Sequence, residues 1–392
     1  MSLRSVVSSI ALAAVLCACA RVPASDVVPA TALGTSTPAR HHQHKIKFKT
    51  VFNFHGKDGW GPSAGLIVVN GLLYGTTTDG GAFGNGTVFS LMPSGEETVV
   101  HSFSTDGRFP ESPILFHNGV LYGTTGNGPG SSGPGTVFAL KTDGTELWTY
   151  DFSGGQDGAD PNGGLFAFKG KFYGTTYGGG SKDAGTVYAI TTLGKERVIH
   201  GFANSPDGAS PFGNLIAIKD TLYGTTAWGG KANRGTVFSI TTSGDENVIY
   251  AFKESGDGES PIAGLATLGG VMYGTTEGGG TTLAGTVFSV TAGGKEHILH
   301  TFGSGTADGR YPEAPLLAYK GNLYGTTCFG GGTNNDGTVF EITPQGDERV
   351  LHTFAGSDGV SPTAGLVEFD GALYGTTTGG SSGKGTAFSI TP

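Results

Sequence analysis

Residues 48–392 spell an all-β protein, a seven-bladed β-propeller of four-stranded antiparallel blades, on three counts. The tetrapeptide Tyr-Gly-Thr-Thr begins at Tyr74, Tyr122, Tyr173, Tyr223, Tyr273, Tyr324 and Tyr374, at intervals of 48 to 51 residues, a period of propellers and solenoids. Sixteen residues ahead of each tyrosine stands the Asp of an Asp-Gly-x-x-Pro: Asp58, Asp106, Asp157, Asp207, Asp257, Asp308 and Asp358. The ends are complementary: the repeats start with a lone strand-like segment, Thr50 to Phe54, and stop just after Gly385 to Ile390, so the seventh sheet lacks an outer strand. Pairing the two removes two exposed edges and closes the ring with a 1+3 blade. An open solenoid would need caps, and none is visible.

Each unit carries four strand signals. The first, a, is almost continuously apolar, as in Leu215-Ile216-Ala217-Ile218, the pattern of a strand buried on both faces at the inside of a blade. A tight turn such as Asn70-Gly71 leads to strand b, which holds the Tyr-Gly-Thr-Thr. A longer glycine-rich loop then leads to strand c, as in Gly86-Thr87-Val88-Phe89, and a turn such as Thr242-Ser243-Gly244 leads to strand d, Val248 to Phe252. Helical periodicity is absent.

Composition agrees. Glycine (72) and proline (18) together approach the share typical of low-complexity chains, but 37% hydrophobic with only 14% charged is too apolar for a solvated coil. A net charge of −9 argues against nucleic acid, since no broad basic face could release phosphate counterions.

The N-terminus reads as an export signal. Arg4 precedes an apolar run, Val6 to Leu16, too short to span a bilayer. Ala18-Cys19-Ala20 fits cleavage before Arg21, while Leu16-Cys17-Ala18-Cys19 resembles a bacterial lipobox with Cys19 acylated; the second is favoured because cysteine is otherwise unexplained there. Residues 1–18 are then a signal peptide and residues 19–47 a lipidated tether, with Ala20 pointing to the outer membrane, on its periplasmic or cell-surface side. His41, His42 and His44 lie on this flexible segment, which does not preorganise a metal site. The mature chain keeps one other cysteine, Cys328, so the fold closes without a disulfide.

Most recurring residues read as architecture. The seven tyrosines cover space left by the adjacent glycine, the threonines tie loop amides, and in Asp-Gly-x-x-Pro the Asp accepts turn hydrogen bonds while Pro stiffens the approach to strand a. One carboxylate per turn falls short of a calcium shell, so no metal is expected. His101, His200, His300 and His352 share a strand-d position with Tyr150 and Tyr250, and the exchange with Tyr reads as a half-buried polar slot on the outer strand, not a ligand. No H-E-x-x-H or C-x-x-C motif occurs.

The d-to-a and b-to-c loops emerge on one face and are the variable ones, so recognition is placed there. The candidate ligand-binding residues are Trp60, Arg108, Phe109, Glu111, Tyr177, Trp228, Glu277, Arg310, Tyr311, Glu313 and Phe329. Aromatic platforms among carboxylates and arginines suit sugars or peptides, and seven loops also collect such residues without forming one site.

The unit Tyr-Gly-Thr-Thr…Gly-Gly…Gly-Thr-Val-Phe, running through residues 48 to 392, resembles the GloVer (Gloeo/Verruco) tandem repeat of choice-of-anchor bacterial surface proteins. That resemblance implies export and an anchor, here a lipid on Cys19, and supplies no activity. The blade-two hairpin from Gly135 to Trp148 is similar to the repeat of quinoprotein dehydrogenases and outer-membrane assembly scaffolds, but no other blade has the Trp, and no cofactor is expected. The reading is of a monomeric, envelope-anchored, non-enzymatic binding or scaffolding propeller that contacts glycans or envelope proteins and touches membrane only through its lipid. The competing one is a polysaccharide lyase or hydrolase with paired carboxylates drawn from different blades.

Overall fold

The computed structural model describes residues 46–128 and 133–392, and among them are only strands and turns. The signal segment, Cys19 and the three tether histidines lie outside the described residues. Seven four-stranded antiparallel sheets follow one another. The first blade runs Ile67–Val69 (a), Leu72–Thr77 (b), Thr87–Leu91 (c) and Glu97–Ser102 (d). The last takes Val367–Phe369, Ala372–Thr377 and Thr386–Thr391 as a to c, and its outer strand is the N-terminal Lys47–Asn53. That strand pairs antiparallel from Lys47 against Thr391 to Asn53 against Thr386, with a bulge at Val51. The bulge falls where Ile199 and Ile249 bulge in ordinary d strands, so the borrowed strand keeps the register of the one it replaces.

Each pair of neighbouring blades shares one apolar cluster. The closing cluster joins Tyr374 and Ala387 of the last blade to Leu66, Leu73, Phe89 and Leu91 of the first, with Phe54 between them. At all seven junctions the Phe that ends strand d meets the aromatic ring of the next blade's strand c with centroids 5.1–5.2 Å apart, from Phe54 on Phe89 to Phe354 on Phe388.

Two expectations are corrected. Strand a is three residues long and mostly half-buried, because its inner edge faces the propeller axis and not another sheet; the buried residue is the Leu just ahead of it, such as Leu215. The space beside the strand-b glycine is filled not by the tyrosine but by the strand-c aromatic directly opposite: Gly224 pairs with Phe238, and a Cβ on Gly224 would lie 2.6 Å from that ring. The tyrosine points the other way, into the next blade, as Tyr223 does against Phe288 and Val290.

The second threonine of each Tyr-Gly-Thr-Thr shares a buried hydroxyl pair with the first threonine of strand c, 2.7–2.9 Å apart in every blade. In every blade but the second, where Thr124 stands, the first threonine reaches across to a carbonyl of the next blade, as Thr225 Oγ1 donates to Ala263 at 2.8 Å and Thr376 Oγ1 to Ala64 at 3.4 Å over the ring closure. The proline of Asp-Gly-x-x-Pro packs against the glycine that opens strand c of the preceding blade, Pro261 on Gly235 and Pro62 on Gly385.

Candidate functional site

The loop-rich face is stitched by backbone hydrogen bonds. In every blade the residue after Asp-Gly pairs, antiparallel, with the second residue beyond Thr-Thr: Trp60 with Asp79, Arg108 with Asn127, Ala159 with Gly178, Ala209 with Trp228, Glu259 with Gly278, Arg310 with Phe329 and Val360 with Gly379. The next residue along the first strand of this small ladder is left-handed throughout, with φ between 53° and 66° at Gly61, Phe109, Asp160, Ser210, Ser260, Tyr311 and Ser361. Its N–H donates to the preceding blade's b-to-c loop, as Phe109 does to Asn85 at 3.1 Å, and its carbonyl accepts from the residue just past Thr-Thr, as Tyr311 accepts from Cys328 at 3.0 Å. The unfavourable torsion is maintained because both backbone groups are satisfied.

The eleven residues singled out from the sequence occupy five register positions of this frame, two of them on the ladder. Trp60, Arg108, Trp228, Arg310 and Phe329 lie on the ladder, Phe109 and Tyr311 at the left-handed residue, Tyr177 and Glu277 just past Thr-Thr, and Glu111 and Glu313 just past the proline. Trp60 and Trp228 present open ring surface, 42% and 37% exposed, and the Lys384 ammonium sits 3.5 Å from the Trp60 ring centre. Phe109 is buried, its ring under the Arg108 guanidinium, and offers no platform. Tyr311 and Phe329 meet edge to face. Cys328 is buried at the position of Tyr177 and Glu277.

Just beyond Glu111 and its counterparts the loops converge on the axis. Gly365 stands against Gly65 and Pro315, Gly164 against Pro113 and Asn214, and Gly264 against Asn214, while the Asn214 carboxamide accepts the Gly164 N–H at 2.5 Å. The residues that follow the seven prolines therefore surround the mouth: Ser63, Glu111, Asn162, Phe212, Ile262, Glu313 and Thr363. Phe212 and Ile262 make an apolar arc, extended by Tyr177 edge-on to Phe212. Ser63, Glu111, Asn162 and Thr363 make a polar one. Asn162 is buried, and neither its amide nitrogen nor its oxygen has a protein hydrogen-bond partner; the same holds for the Thr124 hydroxyl and the Thr363 hydroxyl.

Asp79, Glu111 and Asp160 lie on the polar side, in blades one to three, and Glu277 stands apart from them in blade five. Burial, with Asp79 and Asp160 nearby, pushes the Glu111 carboxyl up to about 8. Asp160 is raised to about 6 by burial and by Asp183, and Glu277 to about 7 by burial and by Glu259. Asp79 is raised by burial although Arg108 and Lys384 pull it down. This face can thus offer a protonated carboxyl, amide and hydroxyl groups beside apolar surface. Asn162, Phe212, Ile262, Ser63 and Thr363 escaped the sequence reading, yet a signal existed: the position after the proline changes character from blade to blade while its neighbours hardly change.

A closed ring of repeats with one decorated mouth defines the protein as a tandem-repeat propeller. The family model described as the Gloeobacter/Verrucomicrobia repeat matches residues 37–220, 113–333 and 169–388, and the chain belongs to that family. Among solved structures it is similar to a europium-containing methanol dehydrogenase, with 10% identity over 88% of this chain and 93% of that one and a TM-score of 0.53. A quinohemoprotein alcohol dehydrogenase from Comamonas testosteroni shares 13% identity over 88% of this chain and 76% of its own, with a TM-score of 0.55. At such identities the likeness is one of fold. No curated protein matches the sequence. Trp148, the residue that carried the quinoprotein resemblance, packs on Gly194 and donates to the Thr192 carbonyl at 3.1 Å, a role in the joint between blades two and three.

Proposed function

We propose that this propeller is a glycan-binding module of the bacterial envelope, held at the outer membrane by a lipid on Cys19, and that the axial mouth of its loop-rich face takes the sugar chain. The observation that carries the reading is the mouth's division into two arcs. Asn162, Thr363, Ser63 and Glu111 supply donors and acceptors for hydroxyl groups, and Phe212, Ile262 and Tyr177 supply the apolar surface on which the flat side of a sugar ring lies. The carboxyl of Glu111, protonated near neutral pH, is a donor without the desolvation cost of a charge. Trp60 and Trp228 extend the contact area along the rim. The test is a screen of the ectodomain against envelope polysaccharides, followed by calorimetry. Asn162→Ala and Phe212→Ala are expected to weaken binding at least tenfold with an unchanged circular-dichroism melt. Binding that survives both substitutions would remove the mouth from consideration.

One observation favours a second reading. A carboxyl raised to about 8 near another raised only to about 6 is the acid arrangement of glycoside cleavage, with Glu111 as proton donor and Asp160 as the second carboxylate. Glu111→Gln separates the two: it abolishes product release if the protein cleaves its glycan, and only weakens retention if it does not.

A further inference from the structure

The outer rim carries a second set of polar groups, at six of the seven junctions between blades. There the Asp of Asp-Gly-x-x-Pro meets the His or Tyr near the end of its own blade's strand d, and the Glu that opens strand d of the following blade. At the seventh, where the N-terminal strand closes the ring, Phe52 takes the His or Tyr position. Where the residue is Tyr, its hydroxyl spans both acids. Tyr150 Oη lies 3.1 Å from Asp157 and 3.2 Å from Glu196, and Tyr250 Oη lies 2.6 Å from Asp257 with the Glu296 carboxylate nearby. A shorter histidine leaves room between the acids. At two junctions all three groups are in place: His200, Asp207 and Glu246, and His300, Asp308 and Glu348, each trio offering one ligand atom per residue within 4.8 Å of the others.

The remaining two histidines show what happens without the acid. In blade two the bulge has moved to Leu147, which leaves Glu146 exposed, and His101 Nε2 closes on Asp106 at 2.6 Å. In the closing blade Phe48 stands where the Glu would be, stacked 3.6 Å from His352, and His352 Nε2 lies 3.0 Å from Asp358. With the Glu present the His–Asp distance is 3.4 Å in both trios, beyond a good hydrogen bond. That spacing is about the edge of a tetrahedron whose metal–ligand bonds are ~2.1 Å. One oxygen of Glu246 and one of Glu348 are buried with no hydrogen-bond partner in the protein. The aspartates are already aimed by backbone donors: Asp207 accepts Gly208 N–H at 2.7 Å and Ala203 N–H at 3.0 Å, and Asp308 accepts Ser304 N–H at 3.0 Å.

The geometry points to two divalent-cation sites, His200 with Asp207 and Glu246 and His300 with Asp308 and Glu348, each taking a zinc-class ion through one imidazole nitrogen and two carboxylate oxygens. An imidazole with carboxylates suits zinc, and three protein ligands leave a fourth position for water. Each ion would draw two ligands from one blade and the third from the next, and so clamp blade three to four and blade five to six.

The test counts zinc on the chelator-stripped full chain by equilibrium dialysis and elemental analysis. Relative to the wild type, Glu246→Gln and Glu348→Gln each bind one ion fewer and the double variant two fewer, while His101→Ala binds as many as the wild type. Zinc raises the melting temperature of the wild type and not of the double variant. Glutamine keeps the side chain's size, and the unliganded melts of wild type and variants report folding. Equal zinc on the wild type and the double variant would mean that the metal sits elsewhere, for instance on His41, His42 and His44, and overturns the proposal; so does the lack of any saturable uptake.

Discussion

A glycine in strand b and an aromatic ring opposite it are one unit at the residue scale. Gly224 leaves no room for a methyl group, since a Cβ there would lie 2.6 Å from Phe238 and 2.8 Å from Leu215. Gly224→Ala is therefore expected to destabilise by about 1–3 kcal/mol through overpacking. In denaturant titrations, Phe238→Leu in the same chain should return part of that loss; if the two changes simply added, the ring would not be what excludes the methyl group. The spacing of these residues was legible in the sequence because every blade repeats it. Which side of the strand each one served was not, because both faces of a propeller blade are buried and the alternation of polar and apolar residues that marks a face is erased. The mouth residues were harder still: Asn162 and Phe212 occur once each at their register position, so no periodic pattern draws attention to them.

At the scale of elements, the decisive one is the N-terminal strand. Its sequence shows the d-strand pattern displaced to the wrong end of the chain, and edge pairing left only one sensible partner, which is why ring closure could be read in advance. The small ladder between the d-to-a and b-to-c loops could not, since two paired residues carry no alternation of their own. Phe54 is fully buried in the cluster that joins the last blade to the first, its ring edge-on to Phe89 at 5.1 Å. Phe54→Ala should cost about 3–5 kcal/mol, as buried phenylalanines do. Removal of residues 47–54 should go further, exposing the edge of Thr386–Thr391 and producing concentration-dependent association in sedimentation. A truncated chain that melts like the parent and stays monomeric would show that the ring does not depend on this strand.

The whole molecule gathers carboxylates at its blade junctions and mouth, and their balance sets its response to pH. Glu97 and Glu196 are raised to about 7 by burial, with Asp58 and Asp157 respectively adding to the effect; Glu277 is raised likewise to about 7 and Glu111 to about 8. Each binds its proton more tightly folded than unfolded, so the stability it lends is complete below about pH 4.5 and is lost as pH climbs through the folded value. Asp106 and Asp157 work in the opposite sense: burial raises them, but hydrogen bonds from His101 and Ser104 to the first, and from Ser153 and Tyr150 to the second, outweigh it and leave both below the usual carboxylate value. Their contribution is present above about pH 4 and disappears only in stronger acid. The two sets leave a maximum in mild acid, near pH 5, and the fall on the alkaline side is the steeper because the raised groups, Asp160 at about 6 among them, ionise within it. Melting curves at constant ionic strength, with chelator present to keep metal out of the comparison, should show the midpoint dropping steadily from pH 5 to pH 8. Glu111→Gln and Glu196→Gln, which keep the side chain's size and cannot ionise, should flatten that drop. A midpoint that stays level or rises over this range would mean that these carboxyls reach enough water to ionise freely, and the mouth would then present charge, not a neutral donor, to whatever it binds.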